Sequence, residues 1–173
     1  MLMHQGIGLG AFNALSRRGA THALYECCAS LTWAQAVAAG RPYASYSELF
    51  ARADAALFSA SDAEIAEALD CHPVVGRRRG STASRLEQCS LWDEDEALTA
   101  AITAAAAAYE ERFGYRYLWC PQGRGLQELL TDLNHRLAHD PEAERKVCTE
   151  ELAKITRTRL ERMLGPEDGF PLY

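Results

Sequence analysis

Apolar positions along this chain recur at helical spacing almost throughout. Between Ser47 and Phe58, the residues Leu49, Phe50, Ala53 and Leu57 fall on one face and predict an amphipathic helix. A short helix is predicted to begin over Phe12 to Ser16, and Thr21 to Ala39 supplies one or two more before Gly40-Arg41-Pro42 stops them. Ser61 opens a helix to Leu69, with Glu64 three residues on in capping-box position. Asp93 to Phe113 predicts a long helix through ITAAAAAYEE, since alanine has the highest helix propensity, and Gly114 ends it. Residues 115 to 119, YRYLW, are the one short extended segment the pattern allows, closed by Pro121-Gln122-Gly123. Two more helices follow. One spans about 125 to 138 with Leu126, Leu129, Leu130, Leu133 and Leu137 as its stripe, and one runs from about Pro141 to Leu164, stopped by Gly165-Pro166. The fold class this predicts is all-α, a single compact multi-helix domain over residues 1–173.

The last helix breaks its own pattern. Its apolar stripe is Leu152, Ile155, Thr156, Leu160, Met163 and Leu164, and the i, i+3, i+4, i+7 series from Leu152 places Arg159 within it. Arg157, two residues earlier, lies roughly 200° around the helix with the polar face. A guanidinium on the core side must be paired, or must line a cavity that admits an anion. Both readings stay open on periodicity alone.

Composition narrows the functional classes. The chain has 173 residues, 48% hydrophobic and 24% charged, with a formal net charge of −6. That balance fits a globular domain and gives no reason to expect a nucleic-acid surface. The six cysteines include adjacent Cys27 and Cys28 but no Cys-x-x-Cys pair, which points to reduced, buried thiols. The first ten residues show no signal-peptide pattern, and no apolar run approaches the ~20 residues of a membrane span. A cytoplasmic protein without membrane association is expected.

Candidate chemistry concentrates in CHPVVGRRRGSTASRLEQ, residues 71 to 88. His72 precedes Pro73 and so ends the preceding helix, where its imidazole serves either as a cap or as an acid–base group near neutral pH. Ser84 and Glu87 make a capping box, yet a helix N-terminus also welcomes a substrate anion, and Gln88 adds an amide that both donates and accepts. Arg77, Arg78 and Arg79 read as a solvated loop. His135 and His139 stand at i and i+4, but no third metal ligand follows at a useful spacing. No phosphate loop, dinucleotide fingerprint or nucleophile elbow is present, and Lys146 and Lys154 are the only lysines, which argues against Schiff-base chemistry.

These motifs in their order resemble one family, the 2-oxo-4-hydroxy-4-carboxy-5-ureidoimidazoline (OHCU) decarboxylases. The resemblance runs through FNALS at 12 to 16, LYECCASLTWA at 24 to 34, GRPY at 40 to 43 and HPVVG at 72 to 76. It continues through SRLEQ at 84 to 88, RFGYRYLWC at 112 to 120 and ELAKITRTRL at 151 to 160. It implies a compact all-α homodimer that needs neither metal nor organic cofactor. The implied reaction removes the C4 carboxylate of OHCU and gives (S)-allantoin, the last step of urate-to-allantoin conversion in purine catabolism. Carried over by position, it assigns catalysis to His72, Glu87 and Arg159. It assigns substrate contact to Pro73, Ser84 and Gln88 and to the segment Tyr117, Leu118, Trp119, Cys120 and Pro121. Functional association with a uricase and a hydroxyisourate hydrolase would follow. The family usually carries Arg-Ile or similar after His-Pro where this chain has Val74-Val75, and the arginine triplet has no counterpart. Two other classes compete: a non-enzymatic helical adaptor binding an anion through the arginine loop, and a metal-dependent hydrolase using His135 and His139.

Overall fold

A computed structural model describes residues 5–72, 96–120 and 124–166. Among them are eight helices: α1 (Gly8–Ala14), α2 (Arg17–Cys28), α3 (Leu31–Ala39), α4 (Tyr46–Phe58), α5 (Asp62–Asp70), α6 (Glu96–Phe113), α7 (Leu126–Arg136) and α8 (Pro141–Leu164). The expected all-α class is observed, with no strand among the described residues. The segment expected to be extended bends at 114 and 115 and then runs without helix or strand pairing from 116 to 120. No described helix is long and apolar enough to cross a membrane.

Serine caps set the helix starts. Ser16, Ser30 and Ser45 accept from the backbone N–H three residues on, at Gly19, Trp33 and Glu48, over 3.1 to 3.2 Å. Each such cap stabilises its helix by about 1 kcal/mol. The Ser61 capping box forms as predicted, with Glu64 Oε2 accepting from Ser61 N–H at 2.8 Å. Asp140 caps α8 by accepting from the N–H groups of Glu142 and Ala143 at 3.0 Å each, with Pro141 in the first helical position. The helical stretch from Thr21 to Ala39 is two helices, because Ala29 turns left-handed (φ 61°) and Ser30 begins a new cap. The first helix lies earlier than the periodicity around Phe12 suggests, since Ser16 is taken as the cap of α2.

Contacts divide the chain into two compact units, residues 1–68 with 153–173, and residues 69–152. In the first, α3 packs on both α2 and α4, burying Phe12, Leu24, Trp33, Val37, Leu49 and Leu57. Trp33 Nε1 donates to the Ala53 carbonyl at 2.9 Å, tying α3 to α4. Arg41 Nη1 donates to the carbonyls of Phe12, Asn13 and Leu15 at 2.9, 3.2 and 2.7 Å, closing the open end of α1. Tyr43 exchanges backbone bonds with the Asn13 side chain and sends its hydroxyl to the Val37 carbonyl at 2.5 Å. A Cβ on Gly40 would meet that hydroxyl at 2.5 Å, so a side chain there would have to displace the Tyr43 ring. The N–H groups of Gly6 and Ile7 donate to Arg162 and Met163 carbonyls at 3.2 and 3.1 Å.

In the second unit α6 packs on α7. Ile102, Ala106 and Tyr109 of α6 face Leu129 and Leu133 of α7 in a core completed by Cys148 and Leu152 of α8. Gly114, at φ 77°, ends α6 in the left-handed conformation that disfavours side chains.

Candidate active site

Of the predicted site residues, Pro73, Ser84, Glu87, Gln88 and Pro121 lie outside the described residues, as does the Arg77–Arg79 triplet. His72, Arg159 and Tyr117 to Cys120 lie within them.

Arg159 belongs to the first unit and is only 7% exposed, on the stripe formed by Leu152, Ile155, Thr156, Leu160 and Met163. Its Nη1 donates to the Cys27 carbonyl at 3.3 Å. That carbonyl is in the last turn of α2, where backbone acceptors lack helical partners and the helix end carries partial negative charge. The neighbouring Cys28 thiol is pushed up to about 11 by burial, against the opposing pull of a Thr156 hydrogen bond and the Arg159 charge. Arg157 takes the other side as predicted: it stacks 4.0 Å from the Phe50 ring centre and pairs with Asp54 at 2.7 Å, both groups partly exposed.

His72 belongs to the second unit. It sits in the turn after α5, its N–H on the Leu69 carbonyl at 3.0 Å, and is 3% exposed. Arg116 holds this turn by donating Nη1 to the carbonyls of Asp70 and His72 at 2.5 and 3.0 Å. Arg116 immediately precedes the expected substrate segment, so one side chain joins the backbone of His72 to Tyr117–Cys120 within the unit. All four residues of that segment are buried. Arg124 stacks on Trp119 at 4.4 Å and donates to the Cys120 carbonyl at 2.7 Å.

Beneath the segment is a charged cluster that periodicity had not singled out. Arg136 is 1% exposed and Glu144 is fully buried. Arg136 donates Nε and Nη2 to Glu144 Oε1 at 2.9 and 2.6 Å, and Nη1 to the Leu118 carbonyl at 2.8 Å. Glu144 also accepts from the Tyr109 hydroxyl, and His139 Nδ1 lies 2.8 Å from its second oxygen. Tyr117 donates to Asp132 at 2.5 Å, and Arg136 lies 4.6 Å from its ring centre. Burial alone would raise the Glu144 carboxyl, but the hydrogen bonds from Arg136 and Tyr109 and the Arg136 charge bring it below the ordinary carboxylate value. Burial pushes the Tyr109 and Tyr117 phenols well above theirs, reinforced by the neighbouring thiol and carboxylates.

Both charges were visible to the argument that found Arg159. Arg136 stands seven residues from Leu129 and three from Leu133, and Glu144 four from Cys148 and eight from Leu152, each on an apolar stripe. Two opposite charges on facing stripes signal a buried pair. His139 is thus engaged by a carboxylate, and its ring meets His135 edge-on at 4.9 Å. Among the described residues no group of three or more His, Cys, Asp or Glu stands where a metal could be held.

Comparison with known proteins supplies the rest. The sequence model of the family described as OHCU decarboxylase matches residues 13–161. The 2-oxo-4-hydroxy-4-carboxy-5-ureidoimidazoline decarboxylase of Amia calva is 34% identical over 140 residues, 76% of this chain and 79% of that protein. An Arabidopsis thaliana uric acid degradation bifunctional protein is 25% identical over 80% of this chain, a match covering 45% of its own length. In fold, the chain is similar to a crystal structure of OHCU decarboxylase in the presence of (S)-allantoin, with a TM-score of 0.71 at 21% identity over 81% of this chain and 95% of that one. The family match begins within α1, spans six of the eight helices completely and ends within α8, two residues past the buried Arg159, and on that basis the chain belongs to the OHCU decarboxylase family.

Proposed function

We propose that this chain decarboxylates OHCU to (S)-allantoin, the last step of urate-to-allantoin conversion, with His72, Glu87 and Arg159 as its catalytic groups. The observation that carries the reading is the family match over residues 13–161. The burial of a histidine and an arginine at two of the three implied positions supports the assignment of roles.

Loss of CO₂ leaves an electron pair at C4, which the adjacent C5=N unit of the substrate delocalises. The substrate therefore carries its own electron sink, and the protein must orient the carboxylate out of conjugation, stabilise charge and deliver a proton to one face. His72 acts on the C4 hydroxyl and carboxylate region as general acid–base. Glu87 orients the ureido and ring nitrogens, and Arg159 binds an anionic oxygen through its planar fork. Pro73, Ser84, Gln88 and residues 117 to 121 contact the substrate. The chain works as one catalytic domain and a cytoplasmic homodimer. Functional association with a uricase and a hydroxyisourate hydrolase is supported by relatives named as bifunctional in uric acid degradation.

The test generates OHCU in situ from urate and follows chirality by circular dichroism. Purified protein should give (S)-allantoin faster than spontaneous decay. His72→Ala yielding enantiopure (S)-allantoin at the unmodified rate would overturn the assignment of His72, and no acceleration by the unmodified protein would overturn the function.

A further inference from the structure

The segment 117–120 makes no strand ladder among the described residues, yet it is buried, and irregular buried backbone must find polar partners elsewhere. Charged side chains provide them: Arg124 takes the Cys120 carbonyl at 2.7 Å, and two buried ones act from α7 and α8. Arg136 Nη1 holds the Leu118 carbonyl at 2.8 Å from α7. Glu151, 6% exposed on α8, accepts from the Cys120 N–H at 2.7 Å. The groups seized are two residues apart, the spacing at which an extended chain turns its peptide groups to the same side. Bonds involving an ionised partner are roughly twice as strong as neutral ones, and each clamp is itself fixed. Arg136 is locked by Glu144 Oε1 at 2.6 Å, and Glu151 lies 3.9 Å from Arg124 Nη2. A neutral backbone contact needs no such apparatus for stability alone, since a buried ion pair is a weak source of it.

We propose that Arg136 and Glu151 are positioning residues for the decarboxylation, clamping the backbone of residues 118 to 120 in one register and facing. The proposal rests on the reading above that this segment lies along the substrate. Neither side chain touches the reacting atoms; each acts through the segment. Releasing one clamp lets the segment shift by a fraction of an ångström, which lowers turnover and loosens control over the face that is protonated.

The experiment compares Glu151→Leu, Glu151→Gln and Arg136→Lys with the unmodified protein, each assayed below its own melting temperature. Rate, KM and the enantiomeric composition of allantoin are read from OHCU made in situ. Glu151→Leu is expected to lower kcat roughly 10- to 100-fold with a smaller change in KM, and to yield allantoin of reduced enantiomeric purity. Glu151→Gln still offers a carbonyl to the Cys120 N–H and should recover kcat to within about fivefold of the unmodified protein. Arg136→Lys keeps the charge without the fork, should show the same kcat and purity defects, and decides the matter if Glu151→Leu does not fold. Folded variants with unmodified kcat and enantiomeric purity overturn the positioning role alone. An unmodified protein that makes no (S)-allantoin from OHCU overturns both the role and the function it serves.

Discussion

Arg136 and Glu144 form a buried ion pair, Nη2 to Oε1 at 2.6 Å, whose carboxylate is also hydrogen-bonded by the Tyr109 hydroxyl. Desolvating two charges is costly, and the pair is tolerable because nearly every donor and acceptor it carries has a partner. Removing one member is therefore far worse than never having had the pair.

Glu144→Gln should destabilise the protein by about 3–5 kcal/mol, because buried Arg136 loses its closest counter-charge and keeps only the partly exposed Asp132, 3.6 Å from Nη1. For a domain this size that corresponds to a fall in melting temperature of roughly 6–20 °C, checked by calorimetry.

Acid should unmask the same pair. The Glu144 carboxyl is held below its ordinary value of 4.5, so near that pH the unfolded chain binds the proton more readily than the folded one. The contribution is complete above about pH 4.5 and is lost as the pH falls through the lower folded value. Urea titrations of the unmodified protein should therefore show a steep loss of stability below pH 4.5, and Glu144→Gln a shallower one.

The two arginines of α8 should separate cleanly. Arg159→Leu should reduce kcat/KM roughly 100- to 1,000-fold, the scale of losing one donor to a developing oxyanion. Arg157→Ala removes a partly exposed pair with Asp54, and should cost within about 1 kcal/mol of stability and leave turnover near the unmodified rate. Steady-state kinetics beside thermal melts distinguish the two.

Exhaustive chelation should leave the rate unchanged, and so should His135→Ala. A rate lost on chelation and restored by a divalent cation would instead favour the hydrolase reading of His135 and His139.

Thiol reagents should discriminate among the described cysteines. Cys71 is exposed, whereas Cys27, Cys28, Cys120 and Cys148 are buried. Burial is the main reason that the Cys28 and Cys148 thiols are both pushed up to about 11. Of these five, Cys71 should react first with a disulfide reagent under native conditions, the other four only on unfolding, as read by mass spectrometry.

Periodicity was a good guide where one helix speaks for itself. Leu49, Ala53 and Leu57 are buried on α4, and Arg159 and Arg157 part company on α8 as their angular positions require. Serine caps were legible only in part. Ser61 announced itself through Glu64, but the pattern over Thr21 to Ala39 allowed one or two helices and did not mark Ser30 as the cap that follows left-handed Ala29. Tertiary bonds were not legible at all from spacing: nothing in GRPY says that Arg41 closes α1 or that Asn13 brackets Tyr43. Those contacts make FNALS and GRPY two halves of one joint. The candidate site lay between these cases. His72 and Arg159 followed from motif order, whereas Arg136, Glu144 and Glu151 belong to the layer supporting it, where each residue matters through its neighbour.

The bonds from Gly6 and Ile7 to the carbonyls of Arg162 and Met163 bring the two ends of the described chain side by side. Residues 6 and 7 therefore lie beside residues 162 and 163 within the first unit. Such a unit can be spliced into a longer polypeptide, or its ends joined and a new opening cut elsewhere, with little disturbance to the helices between.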